Sequence, residues 1–121
     1  MSHSPRFLSL IEAARPGVRE LTVDDVQSKL ARKDAFELVD VREDSEWAAG
    51  HIAGARHLGR GVLERDIEAA IPELDREIVL YCGGGFRSVL AAVSLQQMGY
   101  RNVASMAGGW RDWKASKGPV E

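Results

Sequence analysis

The chain carries a single cysteine, Cys82, and the three residues that follow it are all glycine. The stretch Cys82-Gly83-Gly84-Gly85-Phe86-Arg87-Ser88 comes directly after the apolar run Ile78-Val79-Leu80-Tyr81. Three consecutive residues without side chains let the backbone N–H groups of a loop converge on one point. If a helix begins there as well, the result is an anion-binding nest backed by a helix N-terminus. Such surroundings favour the nucleophilic thiolate. The pattern predicts a cradle for a charged sulfur, or for an anion attached to one. The plain alternative is a small buried core cysteine, which needs no glycine-rich loop. Two roles are open for Arg87: fixing the loop through an ion pair, with Asp40 or Glu46 as partner, or touching substrate. Ser88 suits a helix N-cap, which its type favours, or a hydrogen bond to the sulfur. Arg42 reads equally as a paired or anion-binding group near the same edge and as an exposed, solvated arginine.

The elements that must hold this loop follow from the pattern on either side. Ile78–Tyr81 is β-branched and aromatic and reads as a buried strand. Residues 88–98 read as a helix, with Val89, Ala92, Val93 and Met98 near helical spacing and Gly99 as the stop. The cysteine is thus placed where a strand ends and a helix begins. Earlier, Phe7, Leu8, Leu10, Ile11 and Ala14 predict a short amphipathic helix ended by Pro16-Gly17 and packed on the domain. Thr22 with Asp25 three residues on resembles an N-cap for a helix that continues through Val26 and Leu30 and ends by Lys33. Residues 36–41 read as a strand, Asp44–Ala49 as a brief helix closed by Gly50, and Ile52 to Leu58 as a loop into a short strand. Glu64 to Ala70 predicts a further helix stopped near Pro72. Residues 102–106 read as a last strand, Gly108-Gly109 as a turn, and Trp110 and Trp113 as one face of a terminal helix. Alternating strands and helices imply parallel pairing, with the ligand crevice at the carboxyl ends of the strands. Asp40 and Cys82 both fall at such ends.

Composition narrows the function. With 121 residues, 45% hydrophobic and 28% charged, the chain fits one domain with one core. A net charge of −2 and a pI near 5.9 point away from nucleic acid as a partner. A lone cysteine excludes an internal disulfide and a cysteine-rich metal site, and three histidines offer little for zinc. No run approaches the roughly 18 apolar residues that a membrane span needs. The N-terminus lacks a signal-peptide core, so a cytoplasmic protein is expected.

Four stretches in order carry a family likeness. Leu38-Val39-Asp40-Val41-Arg42 with Glu46-Trp47, then Gly50-His51-Ile52-Ala53-Gly54-Ala55-Arg56-His57-Leu58, then Cys82 to Ser88, and finally Gly108-Gly109-Trp110 with Trp113 and Pro119-Val120 resemble the motifs of a single rhodanese domain. The likeness spans about Leu21 to Glu121. It implies an α/β fold, a five-stranded parallel sheet flanked by helices on both faces, over residues 18–121, with residues 1–17 as an N-terminal helical extension. It also implies a sulfurtransferase whose Cys82 carries a persulfide, with Gly83, Gly84, Gly85, Phe86, Arg87 and Ser88 holding it and Asp40, Arg42, Glu46 and His51 in support. For Arg87 it favours the structural role, and for His51 the ordering of a loop.

The implied cycle has two attacks by soft, already ionised nucleophiles and leaves no proton for a histidine base to move. Cys82 takes a sulfane sulfur from thiosulfate, a polysulfide or a protein persulfide, and a thiol or cyanide then removes it. No metal or cofactor is expected beyond the covalent persulfide. Many rhodaneses place a basic or polar side chain directly after the cysteine, where here stands Gly83, so thiosulfate is expected to be a poor donor. Three rival functions are a non-enzymatic partner-binding module, a redox-sensing thiol that would need an outside thiol to resolve it, and a phosphatase of the same fold. The phosphatases carry one residue more between cysteine and arginine than the four found here, Gly83 to Phe86. The tryptophans, Trp47 included, read as packing, and His57 is assigned no catalytic part.

Overall fold

The computed structural model describes residues 3–121, so the first two residues of the expected N-terminal extension lie outside the description. Helix α1 (Pro5–Ala14) leads through one turn of 3-10 helix into β1 (Arg19–Leu21) and α2 (Val23–Ala31). Then come β2 (Glu37–Asp40), α3 (Asp44–Ala49), β3 (Arg56–His57), α4 (Leu63–Ala70), β4 (Ile78–Tyr81), α5 (Arg87–Gln97), β5 (Val103–Met106) and α6 (Gly109–Ala115). The five strands form one sheet in the order β1-β5-β4-β2-β3, and every pairing is parallel.

The central strand β4 is buried along its whole length, as parallel strands covered on both faces are. Its side chains divide by the two-residue period of a strand. Ile78 and Leu80 join one core with Val39, Leu63, Ile67, Val89, Ala92 and Leu95 from β2, α4 and α5. Val79 and Tyr81 join the other with Val23, Val26, Met106 and Trp113 from α2, β5 and α6. Helix α1 packs on α5 and buries Ile11 completely. The expected sheet with helices on both faces is the fold observed.

Local differences have local causes. Strand β1 is absent from the residue-by-residue expectation, because only Leu21 of its three residues is even partly buried and an edge strand of this length shows no alternation. Gly108-Gly109 is the entry to α6 rather than a free turn, with Gly108 in the left-handed region at φ +80°. Helix α5 starts at Arg87, one residue earlier than its serine suggests, because Phe86 already takes a right-handed helical conformation. Ser88 is therefore inside the helix and caps nothing. The Thr22 cap forms as expected, with Asp25 returning the bond in a capping box.

Candidate active site

Asp40 at the end of β2 stands in register with Tyr81 at the end of β4, so both strands deliver their next residues to one edge of the sheet. Cys82 is the first residue past β4 and is almost wholly buried. Its Sγ accepts hydrogen bonds from the N–H of Gly85 at 3.2 Å and of Ser88 at 3.4 Å, and lies 3.5 Å from Ser88 Oγ. Ser88 Oγ is in turn 2.7 Å from Ser105 Oγ, a buried hydroxyl in the otherwise apolar strand β5. An ionised sulfur draws the Ser88 O–H toward itself and lets Ser105 donate to Ser88, so negative charge at Sγ is met by two amides and a hydroxyl.

The loop is pinned from behind. The N–H groups of Trp110 and Arg111, in the first turn of α6, donate to the carbonyls of Cys82 and Gly83 at 2.8 and 3.0 Å. Of the three glycines after the cysteine, only Gly85 has a left-handed φ, +94°, and a Cβ there would come within 2.9 Å of the Gly108 nitrogen. At Gly84 a Cβ would meet only Arg111 Nη1, at 3.7 Å. The strict demand for glycine is thus narrower than the run of three implies.

The arginines sort by partner. Arg87 forms a two-pronged ion pair with Glu46, at 3.0 and 3.1 Å, across from α5 to α3. The hydrogen bond to Arg87 holds the Glu46 carboxyl below its ordinary range, and the same contact, with help from Cys82, raises the Arg87 guanidinium further. Asp40 is taken by Arg42 instead. Arg42 Nε and Nη2 reach its carboxylate at 3.0 and 2.8 Å, and the Arg42 N–H adds a bond of 2.9 Å. Arg42 Nη2 also donates to the Gly50 carbonyl at 2.7 Å, and the guanidinium lies over the Trp110 ring. Arg42 is therefore buried and engaged, which corrects the alternative of an exposed arginine and removes it as a ready anion ligand.

His51 stacks on Trp47 with ring centroids 3.4 Å apart, and its Nδ1 lies 3.2 Å from the Trp47 carbonyl. His57 also stacks on Trp47 and contacts the Arg42 carbonyl through Nε2 at 2.9 Å. Neither imidazole lines the pocket over the sulfur. That pocket, of about 390 Å³, is lined by His3, Phe7, Cys82, Gly83, Gly84, Phe86 and Arg87. On the other side of Gly84 and Phe86 runs a second groove of about 460 Å³ that includes Arg15 and Arg111. From the sequence, His3, Ser105 and Arg111 have no assigned role, and Phe7 has only a packing one. Only Ser105, a polar residue inside an apolar strand, carried a local signal. Among the described residues no group of three or more His, Cys, Asp or Glu side chains is placed to hold a metal ion. Among the described residues no helix is long and apolar enough to cross a membrane.

Comparison with known proteins agrees with this geometry. The family described as Rhodanese-like domain matches residues 22–116. A thiosulfate sulfurtransferase, GlpE of Pseudomonas aeruginosa, is 34% identical over 89 residues, which are 74% of this chain and 79% of that protein. Among solved structures, a Rhodopseudomonas palustris protein of unknown function, described as a possible tyrosine phosphatase, superposes with a TM-score of 0.89 at 30% identity. It covers 100% of this chain and 98% of its own. A rhodanese-like domain from Anabaena aligns with a TM-score of 0.78 at 31% identity, covering 84% of this chain and 77% of that one. A sole cysteine in a glycine-bearing loop at the carboxyl edge of a five-stranded parallel sheet, matched over most of its length, makes the chain a member of the rhodanese-like domain family.

Proposed function

We propose that the protein is a sulfurtransferase that carries sulfane sulfur as a persulfide on Cys82. The observation that carries this reading is the sulfur itself, at the floor of a pocket and bonded by the amides of Gly85 and Ser88. The Cys82 thiolate attacks the outer sulfur of a donor, whose own bond to that sulfur breaks and whose remainder leaves with the electron pair. The product, Cys82–S–S⁻, places its charge one atom further into the loop, where donors fixed before the reaction stabilise it without reorganisation. A thiolate or cyanide then attacks that outer sulfur and releases Cys82 as the thiolate. Arg87 and Glu46 act as the brace that fixes the start of α5, and Asp40, Arg42 and His51 hold the surrounding edge. The GlpE relatives, named for thiosulfate sulfurtransfer, support the reaction class.

The phosphatase description of the Rhodopseudomonas relative names the competing chemistry. A tetrahedral phosphate needs a wider arc of amides than the four residues Gly83 to Phe86 supply while two of the loop's N–H groups, those of Gly85 and Ser88, already point at Sγ. Intact-protein mass spectrometry after exposure to polysulfide or thiosulfate separates the readings. Sulfur transfer is expected to add one sulfur atom to the wild type, none to Cys82→Ala, and to lose it again to cyanide. Failure of every donor to load Cys82, together with hydrolysis of p-nitrophenyl phosphate, would replace this reading with the phosphatase. Failure of both assays would favour a partner-binding module.

A further inference from the structure

Two of the pocket's lining residues come from outside the part of the chain that the family matches. His3 and Phe7 precede residue 22, yet they close over Cys82 together with Phe86 of the loop. The three rings meet edge to face or tilted. His3 and Phe86 have centroids 4.7 Å apart, His3 and Phe7 5.2 Å, and Phe7 and Phe86 6.2 Å. These are the spacings at which aromatic pairs attract beyond simple burial. Helix α1, which presents Phe7, is fixed to the body of the protein by the fully buried Ile11 and its contact with α5, while Ala14 and Val18 on either side of the following turn extend the core. The Phe7 side of this wall is therefore a built part of the fold, and His3 reaches over from the residues just before α1.

Its chemistry is selective. Among the described residues, Arg87 is the only arginine or lysine lining this pocket, and Glu46 already neutralises it. Arg15 lies over Phe86, 5.4 Å from the ring centroid, and lines the other groove. A small dianion entering here would surrender its hydration for aromatic rings and a compensated cation, which is unfavourable. A polarisable sulfur chain, by contrast, makes attractive contacts with ring edges. The volume of about 390 Å³ falls in the range of small organic ligands.

We propose that His3 and Phe7 form the donor-selecting wall of the site. They favour a sulfane-sulfur donor that bears a single negative charge and an apolar group about the size of an aromatic ring, over the thiosulfate dianion. The proposal rests on the sulfur-transfer reading of Cys82. With a thiosulfonate donor, R–SO₂–S⁻, the Cys82 thiolate forms a bond to the terminal sulfur. The bond between that sulfur and the sulfonyl sulfur breaks, and R–SO₂⁻ leaves with the pair. Two monoanions enter and two leave, with no net oxidation.

Benzenethiosulfonate and methanethiosulfonate share the reacting atoms and the charge and differ only in the group that would meet the wall. The test is kcat/KM for each with cyanide as acceptor, with inorganic polysulfide loading of Cys82 measured alongside by mass. Wild type is expected to prefer the aromatic donor by roughly tenfold or more, since even a methylene in an apolar site commands such factors. Phe7→Ala and His3→Ala are each expected to bring that ratio toward one. His3 is exposed and precedes α1, so its variant answers the question even if Phe7→Ala fails to fold. A wild-type ratio near one, or a ratio that both variants leave intact, overturns the wall while polysulfide loading upholds sulfur transfer. If polysulfide and both thiosulfonates all fail to load, the sulfur-transfer reading falls and the wall with it.

Discussion

Asp40 and Arg42 stand two residues apart, and at that spacing a chain entering a turn gives no hint of whether they meet. In the fold they form a buried pair in which a guanidinium covers a carboxylate, reaches the Gly50 carbonyl, and rests on Trp110. Truncating one partner of such a pair leaves the other charged and desolvated, which costs about 3–5 kcal/mol. Arg42→Met is therefore expected to lower the unfolding free energy by that order. Arg42→Lys should recover only part of it, because an ammonium cannot reproduce the parallel N–H bonds. Urea unfolding of the three proteins measures both. A loss within about 0.5 kcal/mol, as for an ordinary surface change, would mean that Arg42 is not the keystone of this edge. The contrast with Cys82 shows what a sequence can display at this scale. A thiol ahead of three glycines announces its loop, since few other purposes need that run, whereas the burial of Arg42 depends on β3, α3 and α6 closing around it. The His3–Phe7–Phe86 cluster lies further still from any local signal, joining the N-terminal residues to a loop in the second half of the chain.

Among the elements, α3 and α5 are tied by one ion pair, Arg87 to Glu46, each side chain about a third exposed (35%). The Glu46 carboxyl titrates lower in the folded protein because Arg87 hydrogen-bonds its ionised form. A depressed carboxylate adds stability that is complete above the ordinary glutamate value of about 4.3, and that stability drains as pH falls through the lower folded value. Solvent screens a pair exposed to this extent, so its worth is on the order of 0.5–1 kcal/mol. Glu46→Gln is expected to be less stable than wild type by that amount at pH 7 and to converge on it as pH falls through the lowered value of the folded protein. A constant gap across the range would show that Glu46 acts through packing alone. Element by element, legibility follows burial or a clear stop signal. Strand β4, buried on both faces, and α3, closed by Gly50 at φ +146°, were readable because pattern and stop signal agree. Strand β1 was not, since two of its three residues face solvent and pairing with β5 alone makes it a strand. Helix α5 starts one residue earlier than its pattern suggests, because Ser88 has the type of a cap but spends its hydroxyl on Cys82 and Ser105.

Over the whole molecule, the last residues work as a strap. Val120 bridges antiparallel to Ile52, the Glu121 and His51 backbones exchange hydrogen bonds of 2.8 and 3.1 Å, and Ala53 donates to the Pro119 carbonyl at 3.1 Å. Trp113, fully buried beneath, donates its indole N–H to that same carbonyl at 3.0 Å. The strap thus clamps the segment carrying His51 to α6, whose first turn pins the Cys82 loop. Gly118 is the point where the strap crosses the tryptophan, and a Cβ there would run into the indole ring. Because Trp113 is fully buried and its indole is tied to the Pro119 carbonyl, Gly118→Ala is expected to cost about 1–3 kcal/mol as overpacking. Gly17 supplies the matched opposite. It has open space at its Cβ position and an ordinary φ, so alanine there should stabilise by about 0.4–1 kcal/mol through the unfolded chain. Thermal unfolding of the two single variants and the double tests the contrast, with the sites distant enough for their effects to add. If Gly118→Ala proves neutral, the strap yields to the tryptophan, and its hold on α6 is too loose to brace the loop around Cys82.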